Sequence, residues 1–528
     1  MEGAFLFALI GLGLLEGNAS EPNGAASSRC RGFYLWLALL IALICIAYAP
    51  SLAIHFQYQD WDFRLASSAI HSWHDASELF TKPQADGFYR PLTFVSLLAD
   101  YRVFGDHAWG YHLQNIAFHI VNCVLLLVLA RTLGFAESVA RWAAVLFAVA
   151  AVNFEPVLWP AARFDLTATT CTLLAWIFAL RYLNGDPVRN LAFSAIALGL
   201  GILNKESAYC FPLVIGCIVF FRRPLSVGSG AGRSRLSPES RTRRSQAATG
   251  SVVSLEVPLK SLSRGVKLAV VTFAVMAVMI LVRLAVLGGF GGYPSVAASD
   301  SPHYVFTLKT LTSLFTRLPV GLLGINTSVT LPVWLIAAIA LFALVLVAAV
   351  LVGARAGRTD LVLLLCALLT ALPTLNIINW IGEPMQQARY LYMPGVWLAL
   401  FVASVLGSRQ AWSVPLLVLW AGANLAGLEH NLNVYRSTLS QTRIIGERVR
   451  QDSLATPGAR VILIKGLPDQ PNGVFFAASE VISQMKAAFP GAVIERDGGA
   501  CPDLSYRWNP STADLMREPV PAACSGAP

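Results

Sequence analysis

Asp60 and Asp62 stand either side of Trp61 in HFQYQDWDFR, residues 55–64, directly after an apolar run of membrane-crossing length. In an extended segment residues two apart share one face, so both carboxylates could reach one substrate, or hold one divalent cation through oxygen ligands. On a helix they would diverge by about 200°. Either acid alone could serve as a general base for a hydroxyl nucleophile. The plain alternative is a pair of solvated acids at a loop end.

Four later segments carry the remaining polar chemistry. FYRPLTFVSLLADYRVFG, 88–105, opens with Tyr89, Arg90 and Pro91. A proline suits a first helical turn, and the segment is amphipathic enough to lie along a membrane surface. Arg90 would sit at headgroup level, either as an interfacial anchor or as a guanidinium gripping a lipid phosphate through paired donors. NFEPVLWPAARFDL, 153–166, contributes Glu155, Arg163 and Asp165, and LNKESAY, 203–209, contributes Lys205 and Glu206. NWIGEPMQQARYLYMP, 379–394, holds Glu383, Gln387, Arg389, Tyr390 and Tyr392. A charge near bilayer depth costs roughly 2.5 to 3.5 kcal/mol on insertion scales, so several gathered on one side imply a polar cavity. Sequence neighbours such as Arg163 with Asp165, or Lys205 with Glu206, could also be structural charge that compensates itself. His112 and His119, seven apart, share a helix face without a further ligand at metal-binding spacing, which favours packing. GGFGGY, 288–293, has no helix with a lysine behind it and reads as an outer loop.

The elements that must position these residues are membrane helices. Of 528 residues 56% are hydrophobic and only 13% are charged. That balance excludes an ordinary soluble domain. The net charge of +9 falls in bursts between apolar runs rather than along one face. It therefore marks topology and not nucleic-acid binding. Apolar runs fall near 33–53, 110–130, 139–158, 166–183, 190–204, 207–221, 267–287, 331–353, 360–379, 391–407 and 411–427. That is about eleven crossings at roughly 20 residues each. Arg29 and Arg31 before the first place the N-terminus in the cytoplasm, and an odd count puts the C-terminus outside. Between Arg222 and Lys267 ten basic residues face Glu239 and Glu256 in a Ser- and Gly-rich stretch, expected to be a disordered inner loop. AFLFALIGLGLL, 4–15, is too short to span, so residues 1–32 read as an N-terminal extension.

The membrane domain therefore covers 33–427, and 428–528 reads as a small exterior α/β domain. RVILIKG (460–466) and GAVIERD (491–497) have strand character, and FFAASEVISQMKAAF (475–489) has helical character. Cys501 and Cys524 lie in that tail, where an oxidising compartment could join them.

An acidic first external loop followed in order by YRPLTF, WGYHLQNIAFHIVN, FEPVLWPAARFDL, LNKES and ARYLYMP resembles the GT-C membrane glycosyltransferases. The likeness is closest to bacterial relatives of the protein O-mannosyltransferases and of the transmembrane TPR-containing mannosyltransferases, and covers about residues 33–435. The resemblance implies an all-α polytopic membrane protein that takes sugar from a polyprenyl-phosphate-linked donor on the outer face of the inner (plasma) membrane. By position, the family's catalytic acid falls on Asp60, with Asp62 as the second acid. Many relatives have adjacent acids, whereas Trp61 separates them here, so the choice between the two stays open. Arg90, Arg389 and Lys205 would bind the donor phosphate. Tyr89, Glu155, Arg163, Asp165, Glu206, Glu383 and Tyr390 would line the cavity, and the acceptor would be protein, lipid or polysaccharide. The tail lacks a TPR pattern. The competing class is a flippase or exporter of a lipid-linked saccharide, which would string its charges through the membrane; no inverted repeat is visible. A ligase joining whole polysaccharides to a lipid would share the donor but need a wider groove.

Overall fold

The computed structural model describes residues 23–56, 60, 73–83, 88–221, 259–289, 358–373, 388–407, 413–468, 474, 477–497, 501–512 and 514–520. Asp62, Glu383, Cys524, most of the basic stretch from Arg222 onward and the apolar run 331–353 lie outside the described residues.

The described helices begin with α1 (Asn23–Tyr48), α2 (Trp73–Glu78), α3 (Pro91–Phe104), α4 (Ala108–Thr132), α5 (Glu137–Ala148), α6 (Phe154–Leu158) and α7 (Arg163–Leu183). Beyond them lie α8 (Arg189–Ile202), α9 (Phe211–Phe221), α10 (Leu259–Leu287), α11 (Arg358–Ala371), α12 (Tyr392–Gly407) and α13 (Ser413–Ala455). Arg31–Ala53, Ala108–Thr132, Pro160–Leu183, Ser263–Leu287 and Ala388–Leu406 are long and apolar enough to cross a membrane. Glu137–Ala148 with Ala151–Leu158 makes a bent sixth, so this is a multi-pass helical membrane protein. Among the described residues the other apolar helices, Arg189–Ile202, Glu206–Phe221 and Asp360–Ala371, are shorter. α8, for example, has 14 residues. A helix of that length reaches only about 21 Å, against a hydrocarbon core of about 30 Å. Among the described residues, then, only some of the eleven expected crossings are full-length helices, and the run 331–353 lies outside them.

The core is built on α4 and α7, which pack on each other, with α8 against α7, α5 against α4 and α12, and α11 against α12. α4 carries His112, Asn115, His119 and Asn122, all buried, at spacings that put them on one face. Each meets a polar partner on another element: His112 Nε2 lies 3.1 Å from the Ile54 carbonyl, and His119 Nδ1 2.8 Å from the Tyr392 hydroxyl. The packing role expected of the two histidines is thus what they perform.

Two boundaries differ from the sequence reading. The run 139–158 is not one straight span: the axis turns by 49° between Ala148 and Ala151. Asn153 Nδ2 donates to the Phe147 carbonyl at 2.7 Å, while the Ala151 N–H donates to Asn424 Oδ1 at 3.2 Å. Side chains thus satisfy backbone groups that a continuous helix would have paired internally. The other difference is at 427–428, where composition changes but structure does not. α13 runs unbroken for 43 residues. Its length is about 65 Å, roughly twice the hydrocarbon thickness.

After α13 the chain forms β1 (Val461–Lys465), α14 (Ala477–Ala488), β2 (Val493–Arg496), β3 (Leu504–Asn509) and β4 (Asp514–Glu518). The sheet order is β2-β1-β3-β4, with β1 parallel to β2 and β3, and β3 antiparallel to β4. β1, α14 and β2 fall where the sequence placed them; β3 and β4 were not foreseen. The end of α13 is fastened to the sheet. Ile445 and Val449 join its apolar core, Arg448 pairs with Asp514 through both carboxylate oxygens at 3.0 Å, and Tyr506 donates to Asp452 at 2.7 Å. Cys501 is disulfide-bonded. Val474 and Ala477 pack not with the sheet but with the membrane core.

Candidate active site

The site grows from the start of α7. Pro160 forces Trp159 into extended backbone and opens a tight turn, Pro160–Ala162, whose N–H groups have no partner within the following helix. Asp60 takes one of them: its Oδ1 accepts from the Ala161 N–H at 2.8 Å, and the residue is 3% exposed. A carboxylate at a helix N-terminus is also favoured by the helix dipole. Asp60 is therefore not a solvated loop acid.

Arg163 and Asp165, two apart on a helix, point in different directions. Arg163 is fully buried and pairs with Asp100 on α3 at 2.5 Å, while donating to Asn115 Oδ1 at 2.8 Å and to the Tyr111 carbonyl at 3.0 Å. Asp165 accepts from Lys205. Glu206 turns the other way and accepts from Arg90 at 2.9 Å and from Arg283 on α10 at 3.0 Å. The local pairs that sequence adjacency suggested, Arg163 with Asp165 and Lys205 with Glu206, are replaced by pairs between distant segments. Nor does Arg163 line an open surface; its charge is sealed against α3 and α4.

The bend before α6 brings Glu155 to Arg389. Glu155 Oε2 accepts the Arg389 backbone N–H at 2.9 Å, and Oε1 accepts from the guanidinium. Arg389 and Tyr390 sit on the single turn Ala388–Leu391 that leads into α12.

Aromatic rings tie the cations into a row. Arg90 lies 4.2 Å from the Phe88 ring centre and 4.4 Å from that of Phe164. Lys205 lies 4.8 Å from Phe164 and 4.3 Å from Tyr390, and Arg389 4.9 Å from Tyr390 and 4.8 Å from Trp159. Phe164 thus joins Arg90 to Lys205, and Tyr390 joins Lys205 to Arg389. Cations held over ring faces are fixed electrostatically and sterically. The row ends at Trp159, in the same turn that binds Asp60.

Of the residues read from sequence, Asp60, Arg90, Glu155, Asp165, Lys205, Glu206, Arg389 and Tyr390 are drawn into this arrangement. Tyr89 is buried beside it with its hydroxyl on the Phe80 carbonyl at 3.0 Å. Asp62 and Glu383 fall outside the described residues. A divalent ion held by Asp60 and Asp62 would need the latter; among the described residues no cluster of three or more metal-ligating side chains occurs. Asp100, Arg283, Phe164 and Trp159 escaped the sequence reading. Arg283 had a signal: an ionisable residue inside an apolar span is a functional candidate by default. Asp100 looked like one polar residue of an amphipathic segment.

The site of this multi-pass helical protein is thus a ring-braced row of three cations, each paired with a carboxylate, beside the buried carboxylate of Asp60. Residues 91–228, about a quarter of the chain, match the family described as dolichyl-phosphate-mannose-protein mannosyltransferase. Protein O-mannosyl-transferase Tmtc2 of Drosophila melanogaster is 32% identical over 195 residues, 34% of this chain and 21% of that protein. Protein O-mannosyl-transferase TMTC3 of Mus musculus is 25% identical over 173 residues, 31% of this chain and 18% of that protein. The aligned part is thus about a fifth of the length of these curated relatives. Among solved structures, ArnT from Cupriavidus metallidurans in the apo state aligns over 91% of this chain and 94% of its own, at 13% identity and a TM-score of 0.44. The same protein bound to undecaprenyl phosphate gives 15% identity and a TM-score of 0.40, covering 90% of this chain and 93% of that one. The matched segment of the chain is therefore mannosyltransferase-like.

Proposed function

We propose that the protein transfers a sugar from a polyprenyl-phosphate-linked donor to an acceptor hydroxyl of a protein, lipid or polysaccharide on the outer face of the inner membrane. The family described by a dolichyl-phosphate-mannose donor supports the donor class. The Arg-rich inner turns of the sequence support the orientation, with the N-terminus cytoplasmic and the C-terminal sheet outside.

The observation that carries the reading is the turn Trp159–Ala162, where a carboxylate and a cation row meet. Asp60 holds the Ala161 N–H, and Arg389 covers the Trp159 ring. In the reaction, Asp60 removes the proton of the acceptor hydroxyl as its oxygen bonds to the anomeric carbon. The bond from that carbon to the phosphate oxygen breaks, and the electron pair leaves with the polyprenyl phosphate. Arg90, Lys205 and Arg389 stabilise the charge that develops there. A well-aimed donor of this kind contributes about 3 to 4 kcal/mol, and a positioned base roughly 100- to 10,000-fold in rate. A second carboxylate at Asp62 would sharpen the acceptor's position or share an ion with Asp60.

A flippase or exporter would distribute its charges along a route through the membrane. Here three cations share two aromatic rings, which supports transfer over transport. Purified protein incubated with a panel of polyprenyl-phosphate sugars should consume at least one, and Asp60→Asn should consume it at least about 100-fold more slowly. Consumption unchanged in the Asp60 variant would remove Asp60 from the chemistry. A folded wild-type protein that consumes no sugar of the panel would remove the reading itself.

A further inference from the structure

Among the described residues four carboxylates around the site make five ion pairs, and they are not equally closed. Side-chain exposure is 0% and 1% for Arg163–Asp100, 5% and 7% for Lys205–Asp165, and 4% and 4% for Arg389–Glu155. Glu206 is different: its side chain is 27% exposed, although the two guanidinium side chains that hold it, Arg90 and Arg283, are 11% and 9% exposed. Glu206 is thus the most exposed of the four acids, with its Oε1 itself buried, and it sits between two largely enclosed cations. Each carboxylate oxygen is used separately, Oε2 by Arg90 Nη2 and Oε1 by Arg283 Nη2.

We infer that Glu206 is a displaceable stand-in for the donor's phosphate: it occupies the space between Arg90 and Arg283 until the lipid-borne anion exchanges with it. The inference rests on the donor class proposed above. Three features of the arrangement fit an exchange better than a permanent brace. Arg90 is sandwiched between Phe88 and Phe164, so its guanidinium keeps its place when the carboxylate leaves. A phosphate offers several acceptor oxygens with the geometry that paired guanidinium donors prefer, so it replaces both contacts at once. Glu206 also heads the turn Glu206–Cys210 and is the least buried of the four acids, so its rotation need not disturb the Lys205–Asp165 pair beside it.

The device has a function. Glu206 bridges Arg90 at the head of α3 to Arg283 on α10 and so keeps the two guanidiniums side by side until the donor arrives. Selectivity follows as well, because a neutral lipid cannot displace a carboxylate from two cations. The cost is in affinity, since a site filled by its own side chain binds ligand less tightly by the fraction of molecules in which that side chain has left.

The test uses the full-length protein in detergent and polyprenyl phosphate without sugar as the probe. Glu206→Gln removes the competing charge and should bind the probe about tenfold tighter than wild type, whereas Arg283→Gln should bind it at least about tenfold more weakly. Wild-type protein labelled with a water-soluble carbodiimide should show more label on Glu206 when saturated with the probe, a change that a fixed structural carboxylate would not show. This measurement stands on its own should a variant fail to fold. Binding by Glu206→Gln that is equal to or weaker than wild type, or label on Glu206 that stays constant or falls with the probe, overturns the exchange while leaving the donor class intact. A folded wild-type protein that does not bind polyprenyl phosphate overturns both.

Discussion

Glu155 and Arg389, 234 positions apart in the chain, are joined twice: Glu155 accepts the Arg389 backbone N–H at 2.9 Å with one oxygen and its guanidinium with the other. The carboxylate therefore fixes the peptide as well as the side chain. It locks the turn that carries Arg389 and Tyr390 against the bent end of α6. Removing one partner of a buried pair strands the other, at a cost of about 3 to 5 kcal/mol. Glu155→Gln should lower thermal stability in detergent by that amount. The exchanged pair, Glu155→Arg with Arg389→Glu, should not recover it, because the backbone N–H still requires an acceptor at 155. Full recovery in the double variant would show the backbone bond to be idle.

Asp60→Asn keeps an oxygen for the Ala161 N–H and so should keep its melting temperature, while transfer drops at least about 100-fold. Asp60→Ala, which leaves that N–H without its acceptor, should lose both activity and about 1 to 3 kcal/mol of stability. Parallel unfolding and transfer assays separate the two. Transfer above about a tenth of wild type in Asp60→Asn would assign the base elsewhere.

Arg163→Lys should be more damaging to folding than a charge-conserving change suggests. The guanidinium serves Asp100, Asn115 and the Tyr111 carbonyl from different nitrogens, and a lysine cannot reproduce that fork. The expected result is little monodisperse protein on gel filtration, with the same outcome for Asp100→Ala. Normal yield of either variant would make this sealed pair dispensable.

Tyr392→Phe removes the hydroxyl that meets His119 Nδ1 at 2.8 Å and Asn122 Nδ2 at 3.1 Å. Both groups are buried, and leaving them unsatisfied should cost about 1 to 3 kcal/mol. The loss is read as a lower denaturation midpoint. Since Tyr392 lies on α12 just beyond Arg389, donor affinity should weaken with it.

In the C-terminal sheet, backbone N–H groups of Arg460 and Val461 donate to Asp503 at 2.6 and 2.9 Å and hold its carboxyl below the usual carboxylate range. A folded-state value below the unfolded one, about 3.9, means that stabilisation is complete above the latter and is lost as pH falls through the former. Amide exchange of β1 should therefore accelerate, relative to the intrinsic rate, as pH falls below the ordinary aspartate value. Asp503→Asn should abolish that acceleration; an unchanged profile would place the titration in another group.

Periodicity, charge and motif order were enough for the helical membrane class, for the likeness to mannosyltransferases over residues 91–228 and for the segments that supply the site. Asp60, Arg90, Lys205 and Arg389 stood out because a charge in or beside an apolar run is costly and must have a reason. The C-terminal strands β1 and β2 were legible as short apolar, β-branched runs. β3, with Ser505, Tyr506 and Trp508 buried, and β4 were hidden in a segment rich in charge, because pairing in the sheet rather than composition defines them.

What the sequence determined by itself was which residues must be compensated: a chain cannot carry these charges among apolar helices without partners. Which partner each one takes was decided only by the tertiary structure. Asp165 takes Lys205, Glu206 takes Arg90 and Arg283, Glu155 takes Arg389, and Arg163 takes Asp100. The reason is geometric. Neighbouring side chains at a helix start diverge around the axis, so each charge faces a different helix, and the crossing of those helices selects the pair.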